Sequence, residues 1–295
     1  METSWIPAPE AVGSETLVSQ PIGELIAKEG SLTTEHINQI VAHQSVSGLR
    51  FGEAAVALGL ATRENVLYAL AKQFHYPYAP ADRQAPRPEV VSAEQPFSKQ
   101  AESFRAIRGQ LMMRVFQDPA DKPALAIISA NSGDGKTYFS ANLATVLSQL
   151  GGRTLLIDAD MRGPRQHEVF RVPNSTGLSG LLSGRGNQQA ICNVPNLPSL
   201  FLLPGGPVPP NPLELIERPT FSVLIRELVN QFDYVIVDTP AGSYGSDASA
   251  LALKCGAALC VARHRNSKLL GLQELIATMS AGSVKLAGVI MNEYR

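Results

Sequence analysis

The stretch AIISANSGDGKTYFSANLA, residues 126–144, decides the fold of this chain. It contains the pattern Ala-x-x-x-x-Gly-Lys-Thr between an apolar run and a run of helical character. Such a loop can wrap around nucleotide phosphates, because its backbone N–H groups and the following helix N-terminus both favour negative charge. The loop residues predicted to contact ATP are Asn131, Ser132, Gly133, Asp134, Gly135, Lys136, Thr137 and Tyr138.

Two side chains of this loop have predicted roles of their own. Lys136 is expected to hold the β- and γ-phosphates of ATP, and the Thr137 hydroxyl is expected to bind Mg²⁺. The glycines at 133 and 135 let the backbone approach the phosphates closely. ATP and Mg²⁺ are therefore the predicted ligands of the loop.

Outward from the loop, strand-like and helix-like runs alternate from about residue 99 to residue 295. This alternation predicts an α/β domain with a mostly parallel sheet covered by helices on both faces. Together with the loop, it predicts the P-loop NTPase fold. The predicted strands are 124–129, 153–157, 199–203, 233–238, 257–262 and 286–291.

Acidic residues follow two of these apolar strands. Asp238 ends the run in FDYVIVDTPAG and is predicted to bind the Mg²⁺ shell. Asp158 and Asp160 end the run in RTLLIDADM, and their side chains share one face if the strand continues through both. Neighbouring carboxylates are tolerated best beside a cation, which makes Asp158 a third predicted Mg²⁺ ligand, after Thr137 and Asp238.

A carboxylate at this place could also accept the proton of an attacking hydroxyl group. The predicted catalytic residues are accordingly Lys136, Asp158 and Asp160. Spacing alone leaves open which of the two aspartates takes the proton.

The N-terminal part contains a repeat with a period of 29 residues, seen in residues 21–44 and 50–73. Each copy predicts a short helix that stops at a glycine and a second helix that begins after a threonine cap. Residues 20–75 are therefore predicted to form a small helical domain. Residues 1–19 are expected to be disordered, and the Pro-rich residues 76–98 are expected to be an extended linker.

Composition narrows the function classes. The net charge is −1 and no long basic run occurs, so no nucleic-acid-binding face is predicted. The N-terminus lacks the features of a signal peptide, and the run ASALALKCGAALCVA is too short to span a bilayer. The three cysteines form no metal-binding spacing and are expected to be reduced thiols of a cytoplasmic protein.

The combination of the P-loop, LLIDADMRGP and VIVDTP resembles the bacterial tyrosine kinases of exopolysaccharide export. The segments GLSGLLSGR, LFLLPGGPVPPNPLELI and SDASALAL are similar to that family as well, so the resemblance covers about residues 97–295. It implies an ATP-dependent protein-tyrosine kinase that phosphorylates itself and regulates polymerisation and chain length. Within that family, the chain resembles the single-chain kinases that are paired with a separate membrane chain-length determinant protein.

The resemblance also implies how the kinase associates. The segment ESFRAIR fits the family pattern Glu-x-x-Arg-x-x-Arg at Glu102, Arg105 and Arg108, which is implicated in ring-like self-association. On spacing alone this segment is a solvated amphipathic helix. The implied location is cytoplasmic, at the inner membrane through the partner.

The N-terminal repeat pair resembles the MshEN-like domain that begins type II secretion and type IV pilus ATPases. That domain can bind cyclic di-GMP through repeats that each start Arg-aliphatic-Gly. Here the second repeat starts at Arg50 and Gly52, whereas the first starts with Pro21, so one guanidinium is missing. Cyclic di-GMP binding and protein docking are the two open interpretations of this domain.

Two other functions remain open for the P-loop domain. A MinD- or ParA-like ATPase shares the sheet, but that class carries an early loop lysine where this chain has Asn131. A nucleotide-binding regulatory adaptor is favoured by the ending GVIMNEYR, which offers Tyr294 without the tyrosine cluster usual in the kinases. Ser132 and Tyr138 also depart from the usual loop residues.

Overall fold

The computed structural model describes residues 22–29, 32–73, 89–118, 122–185 and 188–293. The chain divides into a smaller compact unit within residues 8–78 and a larger one within residues 79–295. Among the described helices, none combines the length and apolar character that crossing a bilayer requires.

The smaller unit consists of four helices, in which each repeat contributes two. Thr33 and Thr62 cap the second helix of each repeat, since their hydroxyls accept hydrogen bonds from the backbone N–H of His36 at 3.3 Å and of Asn65 at 3.1 Å. Both caps are the ones that the sequence predicts. The helices are α1 (Ile22–Glu29), α2 (Thr34–Ser47), α3 (Phe51–Ala57) and α4 (Arg63–Gln73).

The two repeats pack against each other rather than separately. The first helix of one repeat contacts the second helix of the other, so that α1 packs on α4 and α2 packs on α3. Small buried clusters around Ile26 and Ile40 lie at these two contacts, and the half-buried Leu32 and Phe51 join both clusters. Each repeat therefore buries its apolar face only in the presence of the other.

The larger unit is a seven-stranded sheet with helices on both faces. Its strands are β1 (Ala124–Ile128), β2 (Thr154–Asp158), β3 (Cys192–Val194), β4 (Leu197–Leu203), β5 (Tyr234–Asp238), β6 (Gly256–Arg263) and β7 (Lys285–Asn292). Its α-helices are α5 (Val91–Glu94), α6 (Lys99–Arg114), α7 (Lys136–Ser148), α8 (Gln166–Phe170), α9 (Leu178–Leu182), α10 (Pro212–Glu217), α11 (Pro219–Gln231), α12 (Asp247–Cys255) and α13 (Leu269–Ala281).

The strand order is β3-β4-β2-β5-β1-β6-β7, and every neighbouring pair is parallel except β3 with β4. The α/β fold with a mostly parallel sheet is thus confirmed. Because the strands run parallel, their carboxyl ends meet along one edge of the sheet. The ends of β1, β2 and β5, which carry the predicted motifs, are neighbours at that edge.

Alternate residues of β1 enter two different cores. Ala124, Ala126 and Ile128 face the core that α10, α11 and α12 cover. Leu125 and Ile127 face the opposite core, which α6 and α7 cover. Burial on both faces explains why the strands appear in the sequence as continuous apolar runs.

The larger unit begins earlier than the sequence indicates. Residues 76–98 are predicted to be a linker, yet Val90, Val91 and Ala93 are buried in the core beside α7. The Ser92 N–H donates to Asn142 Oδ1 at 2.9 Å, which fixes this segment on α7. The Pro-rich composition of this segment favours a linker, although the segment also contains the short apolar stretch of residues 90–93 that packs in the core. The expected disordered residues 1–19 and the linker residues 76–88 lie outside the described part of the chain.

Candidate active site

The predicted phosphate loop follows β1 and opens α7, as the sequence requires. Gly133 and Gly135 have φ values of +81° and +95°, in the left-handed region that favours glycine. A Cβ atom on Gly135 would lie 2.3 Å from Asn292 Nδ2. The loop therefore needs glycine at position 135 both for its backbone conformation and for the space that Asn292 fills.

A buried carboxylate in the middle of the loop fixes the loop's shape. Asp134 is fully buried and accepts hydrogen bonds from the Asn131 N–H at 3.0 Å, Asn266 Nδ2 at 3.0 Å and the Ser267 hydroxyl at 2.8 Å. Asn292 Nδ2 donates to the Asp134 carbonyl at 3.0 Å. The loop is thus tied to the residues that follow β6 and to the end of β7.

Lys136 lies inside the loop rather than in solvent. Its ammonium group is buried and donates to the Ser129 hydroxyl at 2.9 Å. That hydroxyl donates in turn to the Asn131 carbonyl at 2.8 Å. The lysine is therefore held under the loop, with an ammonium that can turn toward a bound phosphate.

Asp158 and Asp238 lie side by side at the ends of β2 and β5, where they are register partners. Asp158 Oδ2 accepts from the backbone N–H groups of Arg165 at 2.8 Å and Gln166 at 2.9 Å. Asp238 accepts from Gln166 Nε2 at 2.8 Å and from the Ser140 hydroxyl at 3.3 Å. The structure thus brings together the two carboxylates that the sequence predicts as Mg²⁺ ligands.

Both carboxyl groups are buried, and their pKa values are raised. Desolvation raises the pKa of Asp158 well above its usual range, and the neighbouring Asp238 raises it further. Desolvation raises the pKa of Asp238 to about 6, although Lys136 and hydrogen bonds from Gln166 and Thr137 act in the opposite direction. Two adjacent buried carboxyl groups therefore resist ionisation unless a cation lies beside them.

The donor set fits Mg²⁺. Asp158 Oδ1 is buried without a hydrogen-bond partner among the described residues, so one hard oxygen ligand is unused. No group of three or more His, Cys, Asp or Glu side chains in the described ranges forms a metal cage. Mg²⁺ typically binds through one or two carboxylates together with water and phosphate oxygens, which agrees with this sparse protein contribution.

Asp160 differs from Asp158 in its surroundings. The two side chains would share one face if the strand continued through both residues, but β2 ends at Asp158. The chain then turns, and Asp160 Oδ1 accepts from the Arg162 N–H at 3.2 Å and the Gly163 N–H at 3.1 Å. As a result Asp160 is half-buried and borders the cleft, whereas Asp158 is fully buried behind it.

The loop and the turn after β2 enclose a cleft of about 550 Å³. Arg162, on one side of the cleft, forms a bidentate ion pair with the buried Asp247 at 2.8 and 3.1 Å, which orients the turn. The residues that line the cleft are Ser132, Gly133, Gly135, Lys136, Thr137, Tyr138, Asp160, Arg162, Gly163, Arg165 and Tyr244.

Several residues of the site were not predicted as site residues. Gln166 bridges the Thr137 carbonyl and Asp238 through one amide group, with bonds of 3.0 and 2.8 Å. No local signal identifies this glutamine. Asn292 could have been found, because it directly follows the last predicted strand, 286–291, and all parallel strands end at the P-loop edge.

The predicted self-association residues lie on α6. Arg105 bonds to Glu102 and to the Pro96 carbonyl, and only 15% of its side chain is exposed. Arg108 donates to the Val146 carbonyl on α7. Glu102 is 67% exposed, so the acidic member of the pattern is the most available to another molecule.

The two residues predicted for cyclic di-GMP lie at the start of α3. Arg50 is exposed, and its backbone N–H donates to Glu53 Oε2 at 2.9 Å. Gly52 is buried, and a Cβ atom there would lie 2.6 Å from Val66 Cγ1. Close helix packing is therefore sufficient to explain the glycine.

The fold and the site together define a P-loop nucleotide-binding protein. Residues 125–295 match the CobQ/CobB/MinD/ParA nucleotide binding domain family. The chain is 32% identical over 201 residues to the putative tyrosine-protein kinase CapB of Staphylococcus aureus, which covers 68% of this chain and 87% of CapB. This chain belongs to the bacterial tyrosine kinase family.

A longer relative and a solved structure agree with this assignment. The match to the tyrosine-protein kinase wzc of Salmonella typhi is 32% identical and covers 69% of this chain but 28% of wzc. The kinase domain of the Escherichia coli tyrosine kinase ETK superposes with a TM-score of 0.66 at 29% identity. That superposition covers 72% of this chain and 84% of the ETK domain.

Proposed function

We propose that this protein transfers the γ-phosphoryl group of ATP to tyrosine hydroxyls, including its own, and thereby regulates exopolysaccharide polymerisation and export. The observation that carries the proposal is the set of carboxylates Asp158, Asp160 and Asp238 beside the P-loop of a tyrosine kinase family member. A MinD-like ATPase would have the same sheet, so the sheet alone does not distinguish the two functions. The relatives named above carry tyrosine kinase names, which favours the kinase.

Nucleotide binding is assigned to residues 131–138. Their backbone N–H groups and the N-terminus of α7 favour the negative triphosphate, and Lys136 balances its charge. The buried carboxylate of Asp134 stabilises the loop conformation through three hydrogen bonds. Tyr138 borders the cleft while its ring packs against Phe104, with 6.0 Å between the ring centroids.

Mg²⁺ binding is assigned to Thr137, Asp238 and Asp158. When bound, Mg²⁺ stabilises the charge that develops on the transferring phosphoryl group. The buried carboxylates supply the ligands, and the unused Asp158 Oδ1 is the oxygen available to the ion or to its water. Gln166 positions Asp238 and the Thr137 backbone relative to each other.

Asp160 is assigned as the base. A tyrosine phenol is a poor nucleophile until it loses its proton, and a positioned base contributes about 10²–10⁴ in rate. Asp158 is fully buried and tied to two backbone N–H groups, so a phenol cannot reach it. Asp160 borders the cleft and has one carboxylate oxygen directed by the turn, which suits proton transfer at the other oxygen.

Phosphotyrosine formation tests this proposal. The purified chain is incubated with MgATP, with and without the cytoplasmic tail of its membrane partner, and blotted for phosphotyrosine. We expect Asp160→Asn to lower the rate at least about 100-fold. Glu274→Gln, a neutralised carboxylate exposed on α13, is the matched control and should retain the wild-type rate. ATP binding without phosphotyrosine in any condition would reject kinase activity.

We further propose that α6 mediates self-association into a ring and that a separate membrane chain-length determinant protein recruits the kinase to the inner membrane from the cytoplasm. Glu102 is the exposed member of the pattern, while Arg105 and Arg108 bond within the chain and brace the helix. Crosslinking with the partner's cytoplasmic tail tests the recruitment. Equal crosslinking to an unrelated peptide of the same charge would contradict it.

For the smaller unit we propose an MshEN-like docking domain. Cyclic di-GMP remains the second candidate ligand, supported by the exposed Arg50 beside Gly52. Calorimetry decides between the two. Saturable heat at micromolar cyclic di-GMP that Arg50→Ala abolishes would establish the nucleotide site, and no heat at high micromolar ligand would leave docking.

A further inference from the structure

Tyr244 lies at the mouth of the nucleotide cleft, and the proposed reaction does not yet use it. It ends the short 3-10 helix Gly242–Tyr244, which follows β5. Tyr244 is 53% exposed, and its hydroxyl group donates to Ser132 Oγ in the phosphate loop at 3.2 Å. The phenol is therefore accessible to solvent and directly beside the site where phosphates are expected.

The backbone keeps this tyrosine at the cleft. The Gly242 N–H donates to the Ser129 carbonyl at 2.8 Å, and the Ser243 N–H donates to the Ala130 carbonyl at 2.9 Å. These bonds attach the 3-10 helix to the first residues of the phosphate loop. Any group added to the Tyr244 oxygen would consequently remain within reach of the loop.

The other described tyrosines of the larger unit are placed differently. Tyr138 is half-buried against Phe104, with ring centroids 6.0 Å apart. Tyr234 is half-buried and packs edge-on against Phe116, with ring centroids 5.3 Å apart. Among the tyrosines in the described part of the larger unit, Tyr244 is thus the exposed one, and the other two are half-buried.

We propose that Tyr244 is an autophosphorylation site and that its phosphate closes the cleft to the next ATP. The inference rests on the proposed kinase function. The Tyr244 oxygen forms a bond to the γ-phosphorus while the bond from that phosphorus to the β–γ bridging oxygen breaks. ADP leaves with the electron pair, and the phenolic proton passes to Asp160 of the chain that holds the ATP.

The modification changes the charge at the loop. A phosphotyrosine carries about −1.5 to −2 charge at neutral pH and offers three acceptor oxygens. Beside Ser132 it would repel a triphosphate and compete with it for the loop N–H groups and for Arg162, which borders the same cleft. We expect nucleotide affinity to fall at least about 10-fold on phosphorylation, because the added charge lies within a few ångströms of the loop.

The experiment maps the site and measures affinity on the full chain. Tyrosine-phosphatase-treated protein is incubated with MgATP and the partner's cytoplasmic tail, and peptides are analysed by mass spectrometry. Tyr234 and Tyr244 share the tryptic peptide of residues 227–254, so fragment ions must separate them. The Kd for a non-hydrolysable ATP analogue is then compared before and after phosphatase treatment.

We expect to find phosphate on Tyr244. We also expect phosphatase treatment of the phosphorylated protein to increase its affinity for the ATP analogue at least about 10-fold. In Tyr244→Phe the phosphatase treatment should change nothing, whereas Tyr234→Phe should behave as wild type. Phosphate on other tyrosines with Tyr244 unmodified would overturn the proposal while leaving the kinase function intact. Equal affinities of the two wild-type forms would overturn the closing of the cleft. No phosphotyrosine on any residue would remove the proposed function, and this inference with it.

Discussion

Replacing Asp134 tests whether its buried carboxylate holds the phosphate loop in its conformation. The carboxylate is fully buried and accepts three hydrogen bonds, from Asn131, Asn266 and Ser267. We expect Asp134→Ala to weaken both the folded state and nucleotide binding. Without the carboxylate the Asn131 N–H loses its partner, and the loop loses its connection to the segment after β6.

The magnitude follows from these contacts. A hydrogen bond to a charged group contributes about 1.5–3 kcal/mol, but Asn266 and Ser267 are near the surface and can bond to water instead. Removing a buried charge also removes the free-energy cost of its desolvation, which offsets part of this loss. We therefore expect a loss of about 2–4 kcal/mol in the free energy of unfolding. If about 1.4 kcal/mol of this loss reappears as the cost of ordering the loop, the Kd for ATP rises about 10-fold.

Urea denaturation followed by circular dichroism measures the first quantity, and calorimetric titration with a non-hydrolysable ATP analogue measures the second. Asp134→Asn keeps the shape and an acceptor oxygen, so we expect it to lose less than the alanine variant. Glu274→Ala, at an exposed carboxylate on α13, serves as the control. A change below about 0.5 kcal/mol with an unaltered Kd would refute the reasoning, since surface substitutions produce effects of that size.

Four further outcomes follow from the same contacts. Asp158→Asn should raise the unfolding free energy in EDTA at pH 7 by about 1–3 kcal/mol while abolishing kinase activity, because it removes a buried carboxylate of raised pKa. Without Mg²⁺ and nucleotide, wild type should lose stability relative to Asp238→Asn as pH rises from about 4 to 6. In the folded state the pKa of Asp238 is raised to about 6, so the folded state holds this proton more tightly than the unfolded state does. The resulting stabilisation is fully present below the usual pKa of an aspartate and is lost as the pH rises through the raised pKa. Gly52→Ala should destabilise the smaller unit by about 1–3 kcal/mol, and Val66→Ala should relieve it, since the new Cβ lies 2.6 Å from Val66. Glu102→Ala should reduce self-association in analytical ultracentrifugation without changing the melting temperature, because its side chain is 67% exposed.

Each outcome has a result that contradicts it. A less stable Asp158→Asn protein in EDTA would show that the carboxylate is not strained without a cation. Parallel stability curves for wild type and Asp238→Asn between pH 4 and 6 would contradict the raised pKa. Full stability of Gly52→Ala combined with lost cyclic di-GMP binding would favour a ligand role for that glycine. Unchanged self-association of the Glu102→Ala variant would contradict the proposal that α6 forms the interface.

The sheet was predictable because its strands are buried on both faces. All six predicted strands exist, and their apolar runs are continuous because each side of the sheet has its own core. The antiparallel strand β3 was missed. It has three residues at the sheet edge, and its pairing with β4 contains a register shift and depends on a turn in which Asn196 has φ +64°. No periodicity marks so short an edge strand.

The location of the site was predictable, but the division of roles within it was not. Parallel strands bring their carboxyl ends together, so Asp158 and Asp238, which end β2 and β5, are expected near Lys136, which opens the helix after β1 and the phosphate loop. The separation of Asp158 from Asp160 depends on where β2 stops, which the turn at Arg162 and Gly163 decides.

Other contacts join segments far apart in the chain. Gln166 reaches Asp238 across 72 residues, and Asn292 reaches Asp134 across 158 residues. Sequence separation of this size leaves no local pattern, so only the folded chain reveals the pairing.

The adjacent buried carboxylates also connect stability with function. An arrangement selected for stability alone would not place Asp158 against Asp238, because desolvation and repulsion both oppose their ionisation. Lys136 lies close enough to lower the pKa of Asp238, yet its ammonium bonds to Ser129 and leaves Asp158 Oδ1 without a partner. The missing positive charge is therefore expected to arrive with the substrate, as Mg²⁺ bound to ATP. It follows that metal and nucleotide should bind cooperatively and that MgATP should stabilise the fold more than ATP with EDTA does.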